Sequence, residues 1–346
     1  MASRSLKSLI LCAFIFTTIL SVAAQYPTRP RAPGVAFRLM PSYGVASIHL
    51  KDGTSVDVAQ IQGSQAYQAF MRRPSTSREH VIKKDGAFCR LFSPALDSLP
   101  TSELGRYTCK SPDEIAVQAL LSSLKNAVES YLGTNICFAA LVLDDPGSHR
   151  AGVAEEALRA IGLRQVLRSV SAGKAVVREY LRGEYPAFDE DAWVVLALEF
   201  SKGWFNVGLY AVGEFGIVDP VEGAVGGPMV MEKRDRLDEQ MNALDSTLRQ
   251  LVVDPPAGVR FPRGIHHVVV YGDRAGSSVL ADLLESVLGR ELVEQARISE
   301  TVFAGMEEVA RGVHEVMDTV EFEMREGAAF GCRWRSGLYR EGHGEL

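Results

Sequence analysis

The 346-residue chain is 47% hydrophobic and 23% charged, an ordinary globular balance, and is long enough for two domains or two lobes. Its formal net charge is −6; without residues 1–24, which hold Arg4 and Lys7, 35 basic side chains face 43 acidic ones. No basic stripe suited to a phosphate backbone is present, which argues against nucleic-acid binding.

Arg4 and Lys7 open the chain with positive charge, an apolar run follows from Leu9 to Val22, and Val22-Ala23-Ala24 offers small residues for cleavage before Gln25. The run is shorter than the roughly 20 residues a spanning helix needs. Residues 1–24 therefore read as a secretory signal peptide. No other segment is apolar enough to span a bilayer, so no membrane association is expected after cleavage. Cys89, Cys109, Cys137 and Cys332 remain, an even number that permits two disulfides in an oxidising compartment. Cys89 and Cys109 lie close together in a polar stretch and are paired first, whereas Cys137 sits in an apolar run and reads as a buried thiol. None of the four asparagines, Asn126, Asn135, Asn206 and Asn242, begins a glycosylation sequon. The tail His343-Gly344-Glu345-Leu346 is an imperfect retrieval signal with Gly where Asp belongs, leaving secretion and retention in the endoplasmic reticulum lumen both open.

Residues 25–34 carry Pro27, Pro30 and Pro33 and form an extended lead-in. Val35 to Leu39, Val45 to Leu50 and Ser55 to Ile61 read as strands, with Asp52-Gly53 as a hairpin turn. Residues 62–108 are loop-rich. Ser111-Pro112-Asp113-Glu114 then opens a helix by capping, a first-turn proline and two acids, and an apolar stripe carries it to Leu132. Ile136 to Leu143 is a continuous apolar strand. A helix over 151–161, a strand from Gln165 to Val170 and a helix over 172–182 complete the first half. The second begins with strands from Trp193 to Phe200, Phe205 to Val212 and Phe215 to Val218. A helix from Met231 to Leu251, a strand from His267 to Tyr271, and helices from Ser277 to Leu288 and Thr301 to Met324 follow. The predicted fold is α/β, in two similar β-β-β-α-β-α halves around a cleft: lobe I over 35–188, lobe II over 189–326 and a tail over 327–346.

Several stretches resemble segments of one known ATPase family. Ser111-Pro112-Asp113-Glu114-Ile115, continuing to Ala127-Val128-Glu129-Ser130-Tyr131-Leu132-Gly133, is similar to the family's S-P-E-E-I segment ending A-E-A-Y-L-G. Gly162-Leu163 with Val166-Leu167-Arg168 resembles G-L-x-V-L-R before the first connecting helix. Glu199 to Val207 resembles the second phosphate loop, D-L-G-G-G-T-F-D-V, and Val268 to Val279 the adenosine motif. These motifs, in order over about 35–325, resemble the ATPase domain of the Hsp70 chaperones, members of the actin-like superfamily, and that resemblance implies the two-lobed fold with a nucleotide cleft holding ATP and Mg²⁺. By that resemblance, Ser42, Glu199, Gly203 and Gly272 are the nucleotide-contacting positions that remain.

The departures from the family pattern bear on function. Glycine-rich hairpins let backbone N–H groups approach phosphates, and acidic side chains organise Mg²⁺. Where the family has D-L-G-T-T-Y, this chain has Arg38-Leu39-Met40-Pro41-Ser42-Tyr43. In the second hairpin Ser201 and Lys202 replace glycines, Trp204 replaces threonine and Asn206 replaces aspartate. The family's N-E-P reads Ser171-Ala172-Gly173, without the glutamate, and Tyr271 replaces a glycine of the adenosine motif. Lys202 and Arg38 would either contact a phosphate or serve otherwise, Lys202 as a solvated turn residue and Arg38 in an ion pair with Glu199. Superfamily symmetry sets Arg38 and Glu199 opposite each other, and such a partly buried pair would cost several kcal/mol to break.

Residues 208–267 leave little room for the subdomain that covers adenine, and the chain ends soon after its last predicted helix, so a peptide-holding cycle is not expected. No nucleophile elbow, zinc-protease helix or Walker loop appears. His266 and His267 point to opposite strand faces and cannot chelate together, one reading as core and one as surface. Asp144-Asp145 and Asp189-Glu190-Asp191 read as solvated loop charges, and Arg333-Trp334-Arg335 as part of a terminal tail. The sequence thus points to a degenerate Hsp70-like protein of the secretory pathway with a lost or much weakened ATPase, a binding or scaffold module for an unidentified protein partner, with no catalytic residue and no resident metal assigned. The alternative is an ATPase with a reorganised phosphate site; a third reading, a secreted enzyme using the cleft for a sugar or another small ligand, would require a convergent acid–base pair.

Overall fold

The computed structural model describes residues 32–73, 110–225, 228–231, 237–319 and 322, and shows a mixed α/β protein with two open mixed sheets. In the first sheet, β1 (Gly34–Leu39), β2 (Tyr43–His49) and β3 (Ser55–Gln62) form an antiparallel meander. Strand β4 (Phe138–Leu143) joins β1 in parallel, and the short β5 (Arg164–Gln165) and β6 (Val170–Ser171) pair with β4 in parallel. The second sheet repeats this plan. Strands β7 (Trp193–Ser201), β8 (Trp204–Val212), β9 (Val218–Val225) and β10 (Met229–Val230) pair antiparallel through β8, while β11 (His267–Tyr271) and β12 (Arg297–Ser299) extend it in parallel from β7.

Local chemistry explains the well-read elements. Asp52 accepts the Thr54 N–H at 2.9 Å and Gly53 takes φ +88°, which closes the β2–β3 turn. Helix α2 (Pro112–Leu132) starts where Ser111 Oγ accepts the Glu114 N–H at 3.1 Å and stops at Gly133 in the left-handed region. Its Leu120, Leu121, Leu124 and Val128 pack on Phe37, Leu39 and Ile48, with helix α3 (His149–Ala160) completing that layer. The expected cost of Ser111→Ala is about 1 kcal/mol, read as a lower denaturation midpoint at unchanged m-value.

The period-2 alternation of strands then decides what faces the middle of the molecule. Val35, Phe37 and Leu39 point to the α2 layer, so Ala36, Arg38 and Met40 take the other side. That side is covered by helix α4 (Ala172–Tyr180) and by helix α8 (Met306–Met317), which is late in the chain yet packs on the first sheet. In the second sheet Leu196, Leu198 and Phe200 face helices α5 (Leu237–Val253) and α6 (Ser278–Leu288). Val195 and Ala197 lie on the opposite side with Tyr210 and Tyr271, the side that Glu199 shares.

Several elements differ from expectation. The loop-rich stretch from residue 62 holds helix α1 (Gln65–Arg72), capped by Ser64 and burying Tyr67, Phe70 and Met71; residues 74–109 lie outside the described residues. The strand predicted from Gln165 to Val170 divides into β5 and β6, because Gln165, Ser169 and Glu155 form a side-chain chain that ties down the residues between them. The strand expected over Phe215–Val218 starts only at Val218. Before it, Glu214–Gly216 forms a 3₁₀ turn with Phe215 at φ +63°, closed by the Gly213 N–H on the Ile217 carbonyl. A short helix α7 (Arg290–Glu294) leads into β12 and was not foreseen. The last helix begins at Met306 rather than Thr301, because Gly305 is left-handed at φ +79° and lies against α4, where an added Cβ would come 2.8 Å from the Val176 nitrogen. The described part of α5 begins at Leu237.

Cys137, read as a thiol, is disulfide-bonded and buried. The other cysteines, including the expected Cys89–Cys109 pair, lie outside the described residues, as do the signal segment and the 327–346 tail. Among the described residues no helix is long and apolar enough to cross a membrane. His266 is exposed and its Nδ1 accepts the Val194 N–H, while His267 is half-buried against the Trp193 ring rather than in the core.

Candidate functional site

The turn joining β1 to β2 meets the turn joining β7 to β8 between the two sheets. Tyr43 and Trp204, from the two turns, touch edge to face with ring centroids 5.6 Å apart, and Met40 lies in the same apolar cluster. Met40 and Trp204 are fully buried. Gln240, on α5, donates from Nε2 to the carbonyls of Ser201 and Trp204, both at 2.8 Å, and so fixes the second turn.

Between the turns lies a buried ion cluster. Arg38 is 0% exposed, and its Nη2 donates to both carboxylate oxygens of Glu199 at 2.6 Å and to Asp144 Oδ1 at 3.3 Å. The Arg38–Glu199 pair expected from the sequence is therefore present, joining β1 to β7. Asp144, read as a solvated loop charge, is instead buried and is the third member of the cluster. It directly follows β4, whose parallel register sets Val142 beside Arg38. The Tyr271 ring lies 5.5 Å from the Arg38 guanidinium carbon, a cation–π contact. Burial opposes the charge of Arg38, but Glu199 and Asp144 outweigh it and raise its pKa. Burial pushes the Glu199 carboxyl up to about 8 against the pull of Arg38.

The four positions carried by the resemblance are distributed as follows. Glu199 is bound to Arg38. Ser42 is buried in the first turn, and its carbonyl accepts the Gly63 N–H at 3.0 Å. Gly203 is left-handed at φ +87° and its carbonyl accepts the Met231 N–H. Gly272, at φ +114°, lies so close to the second hairpin that an added Cβ would come 2.6 Å from both the Phe200 carbonyl oxygen and Ser201 Oγ. Its bare Cα is thus used by the protein's own backbone. Lys202 is exposed at the turn tip.

A nucleotide cradle needs turn N–H groups free to meet phosphate oxygens. Here the Met40 N–H is given to the Tyr43 carbonyl, Pro41 has none, and the Lys202 N–H is given to Asp273 Oδ1 at 2.8 Å. The two carboxylates available for Mg²⁺ waters, Glu199 and Asp144, both accept from Arg38. Ser171 caps α4 and lies 3.3 Å from the Tyr210 hydroxyl, which closes against Gly173. The space beside Asp144, lined also by Met71, Ser148, Arg150 and Pro228, measures about 10 Å³, room for about one water. These residues do not fit Mg²⁺-ATP as the family holds it. Arg38 Nε and Nη1, Tyr43 OH, Asp144 Oδ2, Ser201 Oγ and Trp204 Nε1 are buried with no hydrogen-bond partner, so the cluster is polar but incompletely paired.

Asp144 is the member of this cluster that the sequence reading placed elsewhere. Its signal was its place at the end of a continuous apolar strand rather than inside a loop. Among the described residues, no group of three His, Cys, Asp or Glu side chains could hold a metal ion. No protein-family model matches the chain, and no curated protein matches its sequence.

Proposed function

We propose that the chain is a degenerate Hsp70-like, actin-fold protein of the secretory pathway in which a salt-bridged seam has replaced the nucleotide cleft. It acts as a binding or scaffold module for a protein partner, with neither ATP hydrolysis nor nucleic-acid binding. The observation that carries this reading is Arg38, buried between Glu199 and Asp144 where the two hairpins meet. In an ATPase those carboxylates would organise a metal ion; here a fixed guanidinium supplies the positive charge in its place. The repeat of one strand plan in both sheets supports the two-lobed ancestry. The side chains of Met40, Tyr43 and Trp204 support loss of nucleotide, since they fill the space between the hairpins.

The test is direct titration of the mature chain with Mg²⁺-ATP by calorimetry, together with a phosphate-release assay. No binding heat and no release above the buffer rate are expected. Saturable binding with turnover would instead favour an ATPase with a rebuilt phosphate site.

A further inference from the structure

We propose that His49 and His314 form an acid-released latch that holds helix α8 on the first sheet and keeps the apolar seam between the two halves covered. His49 ends β2 and His314 lies in the last turn of α8; both are buried, and their ring centroids are 5.5 Å apart. His314 Nδ1 donates to the Ala32 carbonyl at 2.8 Å, tying the lead-in to α8, so an added proton must go to its Nε2. His49 Nδ1 lies 2.8 Å from Ser55 Oγ. A hydroxyl can accept or donate, so it tolerates either protonation state but does not neutralise a charge. Two imidazolium rings in contact would repel at short range with little solvent to screen them.

The surrounding charges relieve that repulsion only in part. On α8, Glu307 faces Arg182, Glu308 is shared by Arg178, Arg182 and Arg311, and Glu315 is held by Arg311. On β3, Asp57 accepts the Ser47 hydroxyl, and β1 faces the pair with Gly34, which lies against the Ala310 carbonyl and the His314 backbone nitrogen. In the β2–β3 turn, Asp52 is committed to the Thr54 N–H. Burial first, and the neighbouring His314 second, lower the pKa of His49, with Glu307 and Glu315 opposing and Arg311 assisting. A histidine held neutral in the fold gives stability that is present above its ordinary pKa and lost as pH falls. Glu179, which accepts the Gly305 N–H at the other end of α8, is raised to about 6 by burial and works in the opposite sense, since it gains a proton without creating charge.

Release would matter because the buried face of α8, Met306, Val309, Ala310 and Val313, lies in one cluster with Met40, Tyr43 and Trp204. The test is hydrogen–deuterium exchange of the mature chain at about pH 7.5 and about pH 5.5, corrected for intrinsic rates. At the lower pH, amides of residues 306–317 and 32–37 should exchange at least about tenfold faster, while those of α6 keep their protection. In His314→Gln, which keeps a neutral donor for Ala32, and in His49→Asn, the acid-induced increase should vanish. Uniform exchange across the wild-type chain at both pH values, or the same increase in both variants, would overturn the proposal. Should the variants fail to fold, the wild-type comparison alone still decides it.

Discussion

Arg38→Met is expected to destabilise the protein by about 3–5 kcal/mol, the cost of leaving buried carboxylates without their cation. The variant keeps the volume of the side chain but strands Glu199 and Asp144 near one another with no solvent. The Glu199 carboxyl, already raised by burial, would then lose the opposing pull of Arg38 and bind its proton more tightly folded than unfolded. Stability would be present at low pH and lost as pH rises through the raised value of Glu199, so the deficit should shrink toward acidic pH. Glu199→Gln is the informative contrast. It leaves Arg38 paired with Asp144 and removes a carboxylate that burial already disfavours, so a loss of about 1–2 kcal/mol is expected. Urea denaturation of both variants at several pH values checks the order and the slope. Equal losses in the two variants would mean that the cluster is not organised around the guanidinium.

Trp204→Ala is expected to cost about 3–5 kcal/mol through lost burial and a cavity at the seam. Trp204 is 1% exposed and touches Tyr43 from the opposite turn, so collapse around the cavity would have to move both hairpins. Phe188→Ala makes a control of similar size. Phe188 is 84% exposed, and its loss should fall within about 0.5 kcal/mol of wild type. Chemical denaturation separates the two, and a change in m-value for Trp204→Ala alone would show that the halves no longer unfold together.

Much of this architecture was legible because its signals are local. The cap at Ser111, the turn at Asp52-Gly53 and the apolar β11 each depend on residues within a few positions, and all were read correctly. The Arg38–Glu199 pair, 161 residues apart, was legible for a different reason. The expectation came from the resemblance to the Hsp70 ATPase domain, whose superfamily symmetry sets those two positions opposite one another. For Asp144 the only cue was its place at the end of an apolar strand; its burial depends on β4 pairing with β1 and on Arg38, 106 residues away. The start of α8 was misplaced for a similar reason. Periodicity continues through residues 301–304, and only the approach of α4 makes Gly305 adopt a left-handed turn. Phe215 carries no sequence signal for a positive φ; the flanking Gly213 and Gly216 were the available cue.

The central claim, a cleft closed by side chains, is tested most directly by the melting temperature of the mature chain with and without millimolar Mg²⁺-ATP. A ligand at about 100 times its dissociation constant adds about 2.7 kcal/mol, which for a chain of this size moves the midpoint by several degrees. The account predicts superimposable transitions. A clear upward shift with ATP, absent with Mg²⁺ alone, would contradict it and place a nucleotide between the hairpins.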